Sequence, residues 1–284
     1  AALDLAAEAL TREGQAEKEL IATAAVLKRH PARGDGLIRG AVNVSALMNF
    51  SETYFKGGAE LARRHDATIQ VHIGRDREEV EFCLATFGRR PVEQLAEFGV
   101  IDEHLVAVHA VLASEKEIEL LARGKAGLAH SPVECVANLN AIPNLPRFRA
   151  SGIRVALGCD NQANDIFVNM RAAWLIHGAK WGVSGYDAEF LSAGEIIDMA
   201  TIEAASVLRC DDLIGSLEVG KAADMVVLDG MQLLSGNSAD PAIQLWVAAR
   251  FIQAVALVSA PLLLYRSVRP LLMQAGFGMA AVLS

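Results

Sequence analysis

The feature that most constrains the fold is an alternation that runs from residue 37 to 229, in which short β-branched runs take turns with longer amphipathic stretches. Parallel βα units are written this way, because strands covered on both faces need apolar runs and the crossovers between them need helices. The pattern predicts strands at Gly40–Leu47, Thr68–Ile73, Leu105–Val111, Lys125–Ala129 and Ile153–Gly158. Helices are expected between and beyond them. Ser51–His65 carries Phe55, Ala59 and Ala62 at helical spacing, and Asn164–His177 and Ser192–Leu208 have the same character. Ser114 and Glu117 form a capping box that opens a helix ending at Arg123-Gly124, where glycine supplies the stop. After a turn at Gly220-Lys221, Asp224–Asp229 reads as one more strand, and the first ~30 residues read as helix. The class is α/β.

With 284 residues and 52% hydrophobic content the chain can bury a full core. A net charge of −8 disfavours nucleic acid as a partner, since phosphate binding needs clustered Lys and Arg. A small molecule is the expected partner. Cys83, Cys135, Cys159 and Cys210 stand singly, which suggests neither a structural zinc site nor a disulfide framework and fits a reducing cytoplasm. The first residues lack the basic start and apolar stretch of a signal peptide. From Ala242 to Ser284 the chain is mostly Leu, Ala and Val, broken by Arg250, Gln253 and Pro261. Its uninterrupted part falls short of the about 20 apolar residues that span a membrane. A core or subunit-interface helix, in a homo-oligomer, is the first reading of this tail and a membrane segment the second.

Metal-assisted hydrolysis in a barrel needs imidazoles and carboxylates at the C-terminal ends of different strands, where they converge. His72 in TIQVHI, His109 in LVAVHAV, His130 after GLA and Asp160 after IRVALGC all sit at such ends. Any one histidine in such a place is more often a hydrogen-bonded structural residue. Three histidines and an aspartate on successive strands make a coincidence hard to sustain. The H-x-E and P-C-x-x-C pair of nucleic-acid-editing zinc deaminases and the G-x-S-x-G of serine hydrolases do not occur.

His130-Ser-Pro-Val-Glu-Cys, then Ile142, Pro146 and Gly152, then Val-Ala-Leu-Gly-Cys-Asp160, resembles a block of the metal-dependent amidohydrolases of the deaminase and chlorohydrolase branch. His72 with Glu79-Val80, the strand around His109, and Ala200-Thr201-Ile-Glu-Ala-Ala with Ile214-Gly-Ser-Leu-Glu-Val-Gly-Lys-Ala-Ala-Asp224 are similar to further blocks. The resemblance covers roughly residues 40 to 230. It implies a distorted (β/α)8 barrel with a small β-sandwich extension, one Zn or Fe ion, and hydrolysis of a C–N or C–Cl bond of a heterocycle. His72 and Asp160 would be metal ligands, Asp160 also the proton shuttle, and His109 the group that polarises water or substrate. Arg75, His130 and Glu134 would face the substrate.

Three departures accompany the resemblance. The family's first-strand His-x-His, which supplies two ligands, is not in this sequence, and the match begins after the family's first strands. Arg75 stands where the family has a catalytic Glu, and an always-charged Arg cannot act as a general acid. Glu134-Cys135 stands where it has Ser-Asn. The implied organisation is a helical segment at 1–36, a barrel region lacking the first strands at 37–210, the extension at 211–242 and the apolar tail at 243–284. The chain then reads as the C-terminal part of such a hydrolase, or as an inactive relative that keeps the scaffold.

Overall fold

The computed structural model describes residues 2–33, 38–139, 141–187 and 190–222, with side chains from residue 14 onward. Strands β1 (Val42–Val44), β2 (Ile69–Ile73), β3 (Leu105–His109), β4 (Gly127–His130) and β5 (Val155–Leu157) form one parallel sheet in chain order. All five fall where the β-branched runs predicted them, with β4 reaching one residue further, to His130. Helix α1 (Ala2–Arg29) precedes the sheet. The crossovers are α2 (Glu52–Arg64), then α3 (Arg77–Phe87) with α4 (Pro91–Glu97), then α5 (Glu115–Arg123). The last crossover is α6 (Pro132–Glu134), a π-helical turn at Cys135–Leu139, and α7 (Leu145–Ala150). Beyond β5 come α8 (Ile166–His177), a second π-helical turn at Gly178–Gly182, α9 (Val183–Gly185), α10 (Ala193–Ala200) and α11 (Ile202–Val207). The described strands are thus five consecutive members of a (β/α) barrel pattern.

Register decides which way each strand-end side chain points. Residues paired across parallel strands share a face, and the face alternates along each strand. Val71 pairs with Ala107, Ala107 with Leu128 and Leu128 with Val155, and all four lie in the large core under the helices. His72 pairs with Val108 and Val108 with Ala129, which puts His72 on the opposite, barrel-interior face. On that face Val106, Ala156 and Val207 form a smaller core with Ala129 and Ala204, so α11 covers its lower end.

Local chemistry explains the helix boundaries. Ser51 caps α2 by accepting from Tyr54 N, and Phe55, Ala59 and Ala62 are its buried stripe, as the spacing predicts. The Ser114–Glu117 capping box is present. Gly124 is the stop of α5, as expected, in a right-handed conformation (φ −77°), and the left-handed residue is Lys125 (φ 59°). Glycine is needed at 124 for closeness too, since a Cβ there would lie 2.5 Å from Ile101 Cγ2 and 2.9 Å from its carbonyl oxygen. The helix expected over Ser192–Leu208 is broken at Thr201 (φ −127°, ψ −95°), whose hydroxyl donates back to the Ile197 carbonyl at 2.6 Å.

Among the described residues no helix is long and apolar enough to cross a membrane. Residues 211–222 of the expected extension are turns and loop. The strand expected at Asp224–Asp229 and the apolar tail lie outside the described residues.

Candidate metal centre

His72, His109 and Asp160 meet at the C-terminal end of the sheet, each offering a donor atom within 4.8 Å of the other two. His72 reaches this point through the pleat of β2. Its Nδ1 lies 3.4 Å from the Val44 carbonyl on β1. A carbonyl only accepts, so Nδ1 is the donor in this contact and Nε2 is the nitrogen turned towards a ligand.

His109 arrives by a different route. It pairs with Ile73, not His72, and the pleat alone would send it into the helix layer. Left-handed backbone at His109 (φ 70°) and Ala110 (φ 45°) turns the strand end, and the His72 and His109 rings stand 5.2 Å apart. Asp160 is also left-handed (φ 53°), and its Oδ2 lies 3.3 Å from His109 Nε2. Left-handed non-glycine residues cost about 1–2 kcal/mol each and gather at functional sites. Burial, the neighbouring His72 and Arg75 push the His109 imidazole down to about 4, against an opposing pull from Asp160. It is therefore neutral at neutral pH and keeps a lone pair. Its Nδ1 is buried and finds no partner among the described residues.

This donor set fits a divalent metal. Two imidazoles and a carboxylate, with water in the fourth position, is a normal catalytic zinc set, and bonds of about 2.0–2.2 Å place donors about 3.4 Å apart. The His109–Asp160 spacing of 3.3 Å already meets this. The other donor pairs lie within 4.8 Å. His109, expected to act only on water or substrate, stands as a third possible ligand beside His72 and Asp160.

His130 is not at the mouth. It keeps the helix-layer parity of Leu128 and is fully buried, with its Nε2 2.8 Å from Nε2 of His177 on α8 and its Nδ1 3.8 Å from Cys135 Sγ. The expectation that it touches substrate is thus at odds with its burial. Burial and the nearby His177 and His109 rings hold His130 far below the ordinary histidine range, and burial with Lys180 brings His177 down to about 4. The pair therefore shares one N–H between two neutral rings. His177 also stacks on Trp181, with centroids 5.2 Å apart. The buried Cys135 thiol is pushed up to about 12 by desolvation and the Glu134 and Asp160 charges, so it remains a thiol rather than a nucleophile.

Glu134 and Arg75, expected near substrate, have partners of their own. Glu134 is buried, its Oε1 accepts from Asn138 Nδ2 at 2.8 Å, and its Oε2 has no partner among the described residues. The Arg75 guanidinium pairs with Asp76 at 2.8 Å and is half exposed. The backbone N–H of Arg75 donates to Glu79 Oε2 at 3.0 Å, and burial raises the Glu79 carboxyl to about 7. Sequence reasoning passed over His177 and Asn169. Their signal was the spacing Asn169, Ala173, His177, a polar-ended stripe at i, i+4, i+8 on a helix, and all three are buried.

The sequence matches the amidohydrolase family over residues 4–256. A 5-methylthioadenosine/S-adenosylhomocysteine deaminase of Thermoanaerobacter pseudethanolicus is 33% identical over 197 residues, 69% of this chain and 46% of the relative. A 5'-deoxyadenosine deaminase of Methanopyrus kandleri is 31% identical over 225 residues, 78% of this chain and 51% of its own length. Among solved structures, an adenosine deaminase from Xanthomonas campestris with bound zinc superposes with a TM-score of 0.65 at 28% identity, covering 72% of this chain and 46% of that one. Zinc-complexed atrazine chlorohydrolase from Arthrobacter aurescens TC1 shares the fold with a TM-score of 0.70 at 23% identity, over 80% and 51% of the two chains. The chain spans about half the length of the curated relatives it matches. A family match over most of its residues, carried on a sheet that brings His72, His109 and Asp160 together, makes this chain a member of the amidohydrolase family.

Proposed function

We propose that this chain carries the C-terminal half of a metal-dependent hydrolase that acts on a C–N bond, or C–Cl bond, of a small heterocycle. The observation that carries this is the convergence of the His72, His109 and Asp160 donor atoms within 4.8 Å. The adenosine-type substrates named for the relatives support a small nitrogen heterocycle as the substrate class. His72, His109 and Asp160 would hold a Zn or Fe ion, which when bound lowers the pKa of water towards about 7 and so makes hydroxide available at neutral pH. Asp160 accepts a proton from water at the site and delivers it to the leaving amine. With the Nε2 of neutral His109 turned to the ion, His109 would hold the metal beside Asp160, whose Oδ2 lies 3.3 Å from that nitrogen.

Arg75 and Glu134 shape the substrate end of the site in this reading. Because the Arg75 guanidinium is already paired with Asp76, it offers a substrate less positive charge than a free arginine would. His130 supports the site from the helix layer.

The test is a zinc titration of the 284-residue chain, followed by an ammonia-release assay on a panel of aminated heterocycles, alone and fused to an upstream strand bearing His-x-His. About one ion per chain, lost in Asp160→Ala, with turnover in the fused form, supports the reading. Failure of the unaltered chain to bind any divalent metal overturns it.

A further inference from the structure

We propose that Asn169 is a positioning residue for the His72–His109–Asp160 cluster, acting by tying together the loops that leave β4 and β5; this rests on reading that cluster as a metal site. The Asn169 side chain is fully buried. Its Oδ1 accepts from Val133 N at 3.3 Å, and its Nδ2 donates to the Ala163 carbonyl at 2.9 Å and the Asp165 carbonyl at 3.1 Å.

These partners bracket the site. Ala163 and Asp165 follow Asp160 on the loop leaving β5, and Val133 precedes Glu134 on the neighbouring loop. Asp160 needs such holding, because a left-handed aspartate (φ 53°) persists only where its surroundings over-determine it. Its Oδ1 accepts from Asn161 N at 2.6 Å, which fixes the carboxylate to its own turn but not the turn to the rest of the fold. Asn169 supplies that second link. A third tie runs from Gly158 N to the His130 carbonyl at 2.8 Å, and a Cβ at 158 would lie 3.0 Å from Ser131 Oγ, so the two strand ends are already in close contact where Asn169 joins their loops.

The amide does this as a bifunctional group. A buried side chain that must donate to carbonyls on one loop and accept from an N–H on another has to carry both kinds of atom, as Asn does. Alanine leaves two carbonyls and one N–H without this partner, and aspartate keeps the acceptor but sets a carboxylate against two carbonyls.

The experiment uses the full 284-residue chain with Asn169→Ala, Asn169→Asp and, as a control for general loosening, the core change Phe148→Leu on α7. Amide hydrogen exchange of the metal-free protein reads the tie directly. Faster exchange in Asn169→Ala at 131–135 and 159–165, with β-sheet amides unchanged, is expected, whereas Asn169→Asp keeps the Val133 amide slow and frees only 159–165. A Co2+ titration followed by its visible absorption reads the consequence. Asn169→Ala should bind about 10- to 100-fold more weakly than the unaltered chain, as outer-shell changes do, with an altered band, while Phe148→Leu binds unchanged. Unchanged exchange in both Asn169 variants overturns the tie, and faster exchange with unaltered Co2+ affinity overturns its role at the site. Should Asn169→Ala not fold, Asn169→Asp carries both readouts. If the unaltered chain binds no Co2+, it is the metal reading that fails, and the exchange data still decide whether Asn169 joins the loops.

Discussion

His109 and His130 end neighbouring strands, both are almost fully buried, and by register both belong on the helix side of the sheet. One stands in a candidate metal centre and the other in a sealed pair with His177. The difference lies in the backbone. β3 turns left-handed at His109 and Ala110 and swings the imidazole to the barrel-interior side beside His72, whereas β4 ends without a left-handed turn and leaves His130 facing α8. Two strand ends alike in residue type and position thus acquire different chemistry from two left-handed residues.

The largest effect that would sharpen this contrast is on metal affinity. Asp160→Ala removes one of three donors and the partner of His109 Nε2, and should weaken zinc binding well beyond the about 10- to 100-fold typical of outer-shell changes. His130→Ala, at the sealed end, should stay within that outer-shell range. Isothermal titration of both variants checks this, and equal losses would erase the distinction between the two histidine groups.

Stability should show the reverse order. His177→Ala leaves a cavity against Trp181 and an unpaired His130 Nε2 in the core, and is expected to cost about 3 kcal/mol. His72→Ala, on the partly covered interior face with a long contact to Val44 and a ring contact to His109, should cost about 1 kcal/mol or less. Urea unfolding of the metal-free variants measures both. A larger loss for His72→Ala would place the structural histidine at the wrong strand end.

Acid should act chiefly through the sealed pair. His130 and His177 are neutral in the fold and titrate below an unfolded value near 6.5, so the unfolded chain binds protons that the fold refuses as pH drops from about 6.5 towards 4. Stability falls through that window, and neutral His109 adds a contribution of the same sign. His177→Phe keeps the volume and the stacking on Trp181 while removing one titrating ring. It should cost about 1–2 kcal/mol at pH 7.5, yet show a shallower decline between pH 6.5 and 4 in urea midpoints. An unchanged slope would show that the pair is not the acid-sensitive element.

How much of this was legible in the residues follows from what local pattern encodes. Strand positions were legible because β-branched runs such as Thr68–Ile73 have no other stable use in a βα chain. The helix cap at Ser114 was legible as well, since a capping box is a contact between near neighbours. The same Glu117 also binds Arg90 Nε at 2.7 Å and Val92 N at 3.0 Å, and these long-range bonds leave no local trace. His72, His109 and Asp160 could be nominated from their strand ends, but which histidines share a point depends on register and on left-handed residues that composition does not announce. For that reason the burial of His130 against His177 was not legible either. Gly124 was legible as the stop of α5, but its second task of admitting Ile101, a contact from another loop, was not.

The smallest expected effect concerns Glu79, whose electrostatics run opposite to those of the histidine pair. It is a buried carboxyl that accepts from the Arg75 backbone N–H at the β2 end, and burial raises it to about 7 against an unfolded carboxyl near 4.5. The fold therefore holds a proton that the unfolded chain has released between pH 4.5 and 7, and stability attributable to this group falls as pH rises through that window. Glu79→Gln is neutral at every pH and should remove the decline. The gain at pH 8 is held to about 1 kcal/mol, because one carboxylate oxygen that can accept is replaced by an NH2 that can only donate. Urea midpoints of the two proteins should coincide near pH 5 and separate towards pH 8, with the variant the more stable. A constant offset across the range would mean that Glu79 is already ionised in the fold, and that the β2 end tolerates buried charge where the β4 end does not.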